Sequence, residues 1–155
     1  MPQTVSFGTT DGTVVHWRSF LRALAEEVDA RAGAPERNDL LRCIGARMAR
    51  LLPLPAVHSL ETLEIEINDA LAAIGWGQAR LLLNEAERVL SIAHSGMPRI
   101  GSAGSPPGTW LAPALEGLYE TWLAQQPGSE PGLQARLQPS SGGETVVLRY
   151  ARALP

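Results

Sequence analysis

The chain contains no lysine; all 13 of its basic residues are arginine. That excludes Schiff-base and lysine-base chemistry, and it excludes a P-loop, whose lysine must reach the phosphates. The arginine excess could serve bidentate anion recognition, but a composition bias that also favours Ala, Gly and Pro is the plainer reading. A single cysteine, Cys43, rules out an internal disulfide and any paired-cysteine metal knuckle. No run approaches the ~18–20 apolar residues of a membrane-spanning helix, and the candidate from Leu51 to Val57 is broken by Pro53 and Pro55. With 13 basic and 16 acidic residues the net charge is −3, which argues against a nucleic-acid footprint and against attraction to anionic membranes. Met1 to Gly12 shows neither the basic start nor the apolar stretch of a secretory leader, so the expected compartment is the cytoplasm, with the periplasm as the alternative. A chain of 155 residues that is 45% hydrophobic can bury a sizeable core. One domain over 1–155 is expected, with 1–12 as an arm and 13–155 as the core.

Periodicity then organises the chain. Residues 1–12 read as an arm or a short strand followed by a turn. Trp17, Phe20, Leu21, Leu24 and Val28 hold a helical stripe that begins at Val14 or Val15 and that Gly33 should end. Pro35 suits the first turn of a second helix, whose stripe is Leu40, Leu41, Ile44, Met48, Leu51 and Leu52. Cys43, within that pattern, reads as a small buried hydrophobe. A third helix is expected after Ser59 as N-cap and before Gly75. Alternation over 78–83 and again over 88–94 predicts two strands around a loop at Asn84 to Glu87. Residues 95–109, dense in Gly and Pro, form a loop. A fourth helix runs from Trp110 to Ala124 with Thr109 as its cap and Pro113 in its first turn, and two further strands cover 133–138 and 144–152. The class is α+β, with helices packed on an antiparallel sheet in the order three helices, β-hairpin, fourth helix, C-terminal β-hairpin.

No motif for chemistry emerges. His16, His58 and His94 are far apart and none sits in a zinc-binding spacing, so surface or internally satisfied histidines are the plainer reading. Ser102, in Gly101-Ser-Ala-Gly104, misses the nucleophile-elbow spacing because Gly101 falls one place late. Gly101, Gly104 and Gly108 match no nucleotide-binding pattern. Glu61, Glu64 and Glu66 share the third helix, where a solvated face is the simpler reading than an acid–base pair. Neither a cofactor nor a metal is expected. Four tryptophans stand against two Phe and two Tyr. Trp17 and Trp122 fall on apolar stripes and read as core, whereas Trp76 and Trp110 sit at turns and could as well meet a partner or a sugar ring.

Six stretches, taken together, resemble one family. They are Arg37-Asn-Asp-Leu-Leu-Arg42, Ile74-Gly-Trp-Gly77, Gly101-Ser-Ala-Gly104, Gly108-Thr-Trp-Leu-Ala-Pro113, Leu115-Glu-Gly-Leu-Tyr119 and Gln126-Pro-Gly128. In this order and spacing the chain resembles the BcsD family of bacterial cellulose synthase (cellulose synthase operon protein D), from about Phe20 to Gly128. The resemblance implies a non-catalytic accessory protein of cellulose biosynthesis. It would form a ring-like homo-octamer, a tetramer of dimers, that supports export and crystalline bundling of β-1,4-glucan. It also implies a proline-rich accessory protein and the synthase complex as partners. Two mechanisms fit: a scaffold that organises synthase complexes, or a periplasmic guide that touches nascent glucan. A small-molecule-binding α+β sensor is the competing class. The residues expected to matter are Trp76, Gly101, Ser102, Ala103, Gly104, Gly108, Thr109, Trp110 and Pro113, with Trp76, Trp110 or Tyr150 as candidate lining for a proline-rich segment.

Overall fold

The computed structural model describes residues 10–100, 109–139 and 144–153, with side chains from residue 17 onward. The helices are α1 (Thr10–Leu51), α2 (Leu60–Ile74) and α3 (Ala112–Ala124). The strands are β1 (Gln78–Asn84), β2 (Val89–Ser95), β3 (Leu133–Leu137) and β4 (Thr145–Arg152). All neighbours in the four-stranded sheet are antiparallel, in the order β1-β2-β4-β3. The α+β class and both hairpins match expectation. The helix count does not: among the described residues three helices stand where four are expected.

The difference lies at Gly33. Its φ of 77° and ψ of 173° are non-helical, and the helix resumes at once on its far side. Pro35 has no N–H to give to the carbonyl four residues back, and its ring would collide with that carbonyl in a continuous helix. One residue in a conformation open to glycine absorbs the conflict, so two expected helices become the halves of a single bent α1. Arg37 reaches back to pair with Asp29 across the bend. Thr10 to Gly12, expected in the arm, belong to α1. Ser59 caps α2 as expected, its Oγ accepting the Thr62 N–H at 3.1 Å, and Gly75 ends it in the left-handed conformation.

The second half of α1 lies against α3 with backbone touching backbone. A Cβ on Gly45 would stand 1.8 Å from the Ala114 carbonyl oxygen, and one on Gly117 would stand 1.8 Å from the Arg42 carbonyl oxygen. Only glycine at both positions lets the helices approach so closely. The other side of α3, together with α2, covers one face of the sheet. Ile67, Leu71, Ile92, Leu115, Leu118, Trp122 and Leu148 are the centre of that core. Trp122 anchors it further by donating its indole N–H to the Leu52 carbonyl at 2.9 Å. The Gln126 amide holds the proline-rich connection, accepting from Val57 N–H and donating to the Pro55 carbonyl.

Both sheet edges are closed by side chains spaced four apart on a helix. On β1, Asn68 pairs with both backbone groups of Ala79 (2.7 and 2.9 Å), and Glu64 accepts the Leu81 N–H at 2.8 Å. On β3, Glu120 accepts from Ala135 and Glu116 accepts from Leu137, each at 3.0 Å. Glu64 is therefore not part of a solvated face as expected. Edge strands left open recruit other strands, and these four side chains prevent that at the positions they fill.

Candidate functional site

The expected site residues divide three ways. Gly101, Ser102, Ala103, Gly104 and Gly108 lie outside the described residues. Thr109, Trp110 and Pro113 lead into α3, and Trp76 follows α2. Thr109 does not cap the helix: α3 begins at Ala112 with Leu111 in the cap position, without a side-chain cap bond, while the Thr109 carbonyl accepts the Ala112 N–H at 3.0 Å. Pro113 does fall in the first turn, where no amide partner is needed.

Trp110 and Trp76 meet in one small cluster. Trp110 is 5% exposed and packs with Ala25, Leu41 and Ala114, and half-buried Trp76 lies against it and against the main core. Tyr150 is buried too, its hydroxyl raised above the usual phenol range chiefly by that burial. Of the three rings expected to line a groove, Trp110 is packed inside the molecule, whereas Tyr150, though largely buried, forms part of the wall of a cleft. Among the described residues the Trp110 indole N–H has no partner. Trp110→Ala should therefore remove packing alone, without breaking a hydrogen bond, and cost ~3 kcal/mol, the low end for a buried tryptophan. Thermal melting checks this.

His94 resolves into a satisfied core histidine. It is fully buried on β2, with Nε2 2.7 Å from the Trp76 carbonyl and Nδ1 2.5 Å from the Tyr119 hydroxyl. A carbonyl can only accept, so Nε2 carries the proton and bare Nδ1 accepts from Tyr119. Burial lowers the His94 pKa below its ordinary 6.5 and pushes the Tyr119 hydroxyl up. The unfolded chain therefore binds a proton near pH 6.5 that the fold refuses until lower pH. Stability is full above that point and falls as pH drops below it, by at most ~1.4 kcal/mol per unit from this group. Denaturant titrations from pH 7.5 to 5 should show the decline in the wild type, and a flatter one in His94→Gln.

Two helix-borne residues that the sequence reading passes over complete the interior. Glu116 is 4% exposed; its Oε1 accepts from Arg42 Nε at 2.9 Å while its Oε2 holds β3. Arg42 also binds Asp39, so one arginine joins α1 to α3. The signal in the sequence is spacing: Glu64 with Asn68 and Glu116 with Glu120 are each four apart.

What is left open is apolar. Trp17 is 55% exposed and Phe20 58%, their rings edge to face with centroids 5.7 Å apart, and Leu24 continues the stripe at 42%. The stripe predicts Trp17 in the core; no described element covers it. On the second half of α1, Leu41 is buried, whereas Leu40, Ile44 and Leu51 are exposed, and so is Cys43, against expectation. The expected single stripe is two faces, one packed on α3 and one bare. A cleft of about 860 Å³ opens near the β1–β2 turn, with leucines and Tyr150 in its wall and Arg88, Glu87, Glu130 and Arg152 around it. Its lining includes no histidine or cysteine, and among the described residues no three His, Cys, Asp or Glu converge as metal ligands. No helix of the described residues is long and apolar enough to cross a membrane.

These residues define a helix-braced α+β module whose polar groups close its own sheet edges and whose longest helix is apolar on two faces. The chain belongs to the cellulose synthase D-subunit family, whose model matches residues 3–151. It is similar to a cellulose synthase operon protein D of Komagataeibacter xylinus, with 48% identity over 110 residues, 71% of this chain and 70% of the relative. The corresponding protein of Komagataeibacter sucrofermentans shows the same identity and coverage, and another from K. xylinus is 44% identical over the same length. The structure gives four of the six resembling stretches architectural roles. Arg37 spans the bend, Arg42 and Glu116 join two helices, Gly117 permits their crossing, the Trp76 carbonyl holds His94 and Gln126 pins the proline-rich connection.

Proposed function

We propose that this chain is a non-catalytic scaffold component of bacterial cellulose biosynthesis. It assembles as a homo-octamer, a tetramer of two-fold dimers, and organises synthase complexes so that glucan chains emerge together and bundle. The observation that carries this reading is the bare face of α1. Trp17, Phe20 and Leu24, then Leu40, Ile44 and Leu51, place large apolar side chains in solvent along both halves of a helix whose other face is already packed. Exposed apolar residues grouped on each half of one helix mark a protein interface, and a stripe on one helix can pack against its own copy about a two-fold axis. The family supports the cellulose setting and the synthase complex as partner. A proline-rich accessory protein belongs to the same reading, repeated weak sites on an octamer giving it avidity of roughly 10²–10⁴. The reading places the protein on the cytoplasmic side, which protease protection in spheroplasts checks.

Complementation tests the role. In a cellulose-producing host lacking this protein, Leu24→Arg should fold but assemble poorly, because it forces a charge into an apolar interface. Membranes should then make glucan from UDP-glucose at the usual rate while the secreted product loses crystalline order. Full restoration of order by a variant that remains monomeric would refute the scaffold role. Turnover of UDP-glucose or cello-oligosaccharides by the purified chain would refute its non-catalytic character.

A further inference from the structure

The sheet has a second face, and no described helix packs on it. Alternation along the strands turns Ala79, Leu81, Leu90, Ile92, His94 and Leu148 into the core and their neighbours outward. Register aligns those neighbours in rows: Arg80 beside Ala93 and Val147, and Leu82 beside Ser91 and Arg149. The outward positions of all four strands include three arginines, Arg80, Arg136 and Arg149, and no acidic residue, in a chain of net charge −3. Arg136 is held by Glu120, while Arg80 and Arg149 have no polar partner among the described residues. Small residues, Ser91 and Ala93, form the floor between them, with exposed Leu82 and Val147 on either side.

On the opposite side of the molecule, α2 presents the reverse pattern. Its inward face is Leu63, Ile67, Ala70 and Leu71, and its outward ridge is Glu61, Ile65 and Asp69, all exposed, with Ile65 at 59%. Neither Glu61 nor Asp69 has an ionic or hydrogen-bonding partner among the described residues. The two patterns agree in size. Eight residues of helix separate the carboxylates by about 12 Å. Arg80 and Arg149 lie two strands and two residues apart, and strand spacing with strand rise also sets them about 12 Å apart. A ridge laid along that diagonal puts Ile65 over the shallow floor of Ser91 and Ala93.

We infer that the outward ridge of α2 in one copy docks on the open sheet face of the next, Glu61 and Asp69 meeting Arg80 and Arg149 around Ile65. The contact is head to tail, because the two surfaces lie on opposite sides of one molecule. It rests on the self-assembly proposed above and assigns the surface that joins one two-fold dimer to another. Two sheet faces could not pair with each other, since their arginines would be opposed. The closed edges of β1 and β3 likewise turn strand-to-strand extension aside at the positions they fill.

Charge reversal tests it on the whole chain. Two variants are prepared, Glu61→Arg with Asp69→Arg, and Arg80→Glu with Arg149→Glu. Glu61, Asp69 and Arg80 are exposed and Arg149 is half-buried, and circular dichroism verifies that each variant is folded. Light scattering should show each variant alone at about one quarter of the wild-type mass, the dimer held by α1. An equimolar mixture should regain the wild-type mass, because every α2 ridge then meets a sheet face of opposite charge, and so should the quadruple variant. Variants that keep the wild-type mass, or a mixture and a quadruple variant that both stay small, would overturn the docking alone. A wild-type protein that is itself monomeric would overturn the self-assembly beneath it.

Discussion

Gly45→Ala is expected to destabilise the protein by ~3 kcal/mol, although alanine is the better helix former by ~1 kcal/mol. The added methyl would lie 1.8 Å from the Ala114 carbonyl oxygen and 2.9 Å from the Leu118 backbone nitrogen, and backbone cannot rotate aside as a side chain can. Relief requires α1 and α3 to separate along the crossing. That in turn strains Arg42 to Glu116 and the contacts of Leu41 and Ala49. The estimate sits at the upper end for overpacking because both partners are main chain. For a domain of this size the loss corresponds to a melting temperature lower by roughly 6–12 °C. Gly117→Ala should behave alike, its methyl meeting the Arg42 carbonyl. A melting temperature equal to or above the wild type would mean that helix propensity decides and that the close crossing is wrong.

Glu116→Ala is expected to cost ~3 kcal/mol or more. Its carboxylate is almost wholly inside and serves two elements, Arg42 of α1 through one oxygen and the Leu137 N–H of β3 through the other. Removing it leaves a partly buried guanidinium short of an acceptor and a strand amide without one, the circumstance in which breaking a buried pair costs most. Arg42 retains Asp39 and some solvent, so the lower part of the usual 3–5 kcal/mol range applies. Glu116→Gln keeps one acceptor oxygen for the Leu137 N–H but gives up the charge and turns its amide NH2 toward the Arg42 donor, so it should lose less than Glu116→Ala by about one hydrogen bond, ~1 kcal/mol. Equal losses for the two substitutions, in urea titrations, would show that the bond to Leu137 contributes nothing and that the contact with Arg42 carries the effect.

Much of the fold could be read directly from residue patterns. Ala79 and Leu81 alternate with exposed neighbours as a half-buried strand must, Ser59 and Gly75 are chemically suited to open and close α2, and Pro113 fits a first turn. The misreadings share a physical reason. A helical stripe shows that one face of a helix is apolar but not what covers it, so Trp17 looks like a core residue while no described element of the same chain reaches it. Glu64 looks solvated because charge on a helix face ordinarily is; its strand partner lies 17 residues further on. Gly45 and Gly117 carry no local signal, since a helical glycine reveals its purpose only through a second helix. Thr109 has the right chemistry for a cap, but the turn closed by its own carbonyl moves the start of α3 to Ala112. For the candidate site, residue patterns single out Trp76 and Trp110, which join one small cluster. The apolar face that carries the proposal is visible in them only as a stripe, with nothing to show that it stays uncovered.

The central claim is that the bare face of α1 is a self-association surface, and the mass of the wild-type chain in solution tests it most directly. Light scattering across a hundredfold dilution should give about eight times 16.6 kDa, and Phe20→Arg should reduce it while leaving the helical signal of α1, α2 and α3 intact. A wild-type mass of a single chain at every concentration, with Trp17, Phe20 and Leu24 open to solvent, would contradict the account.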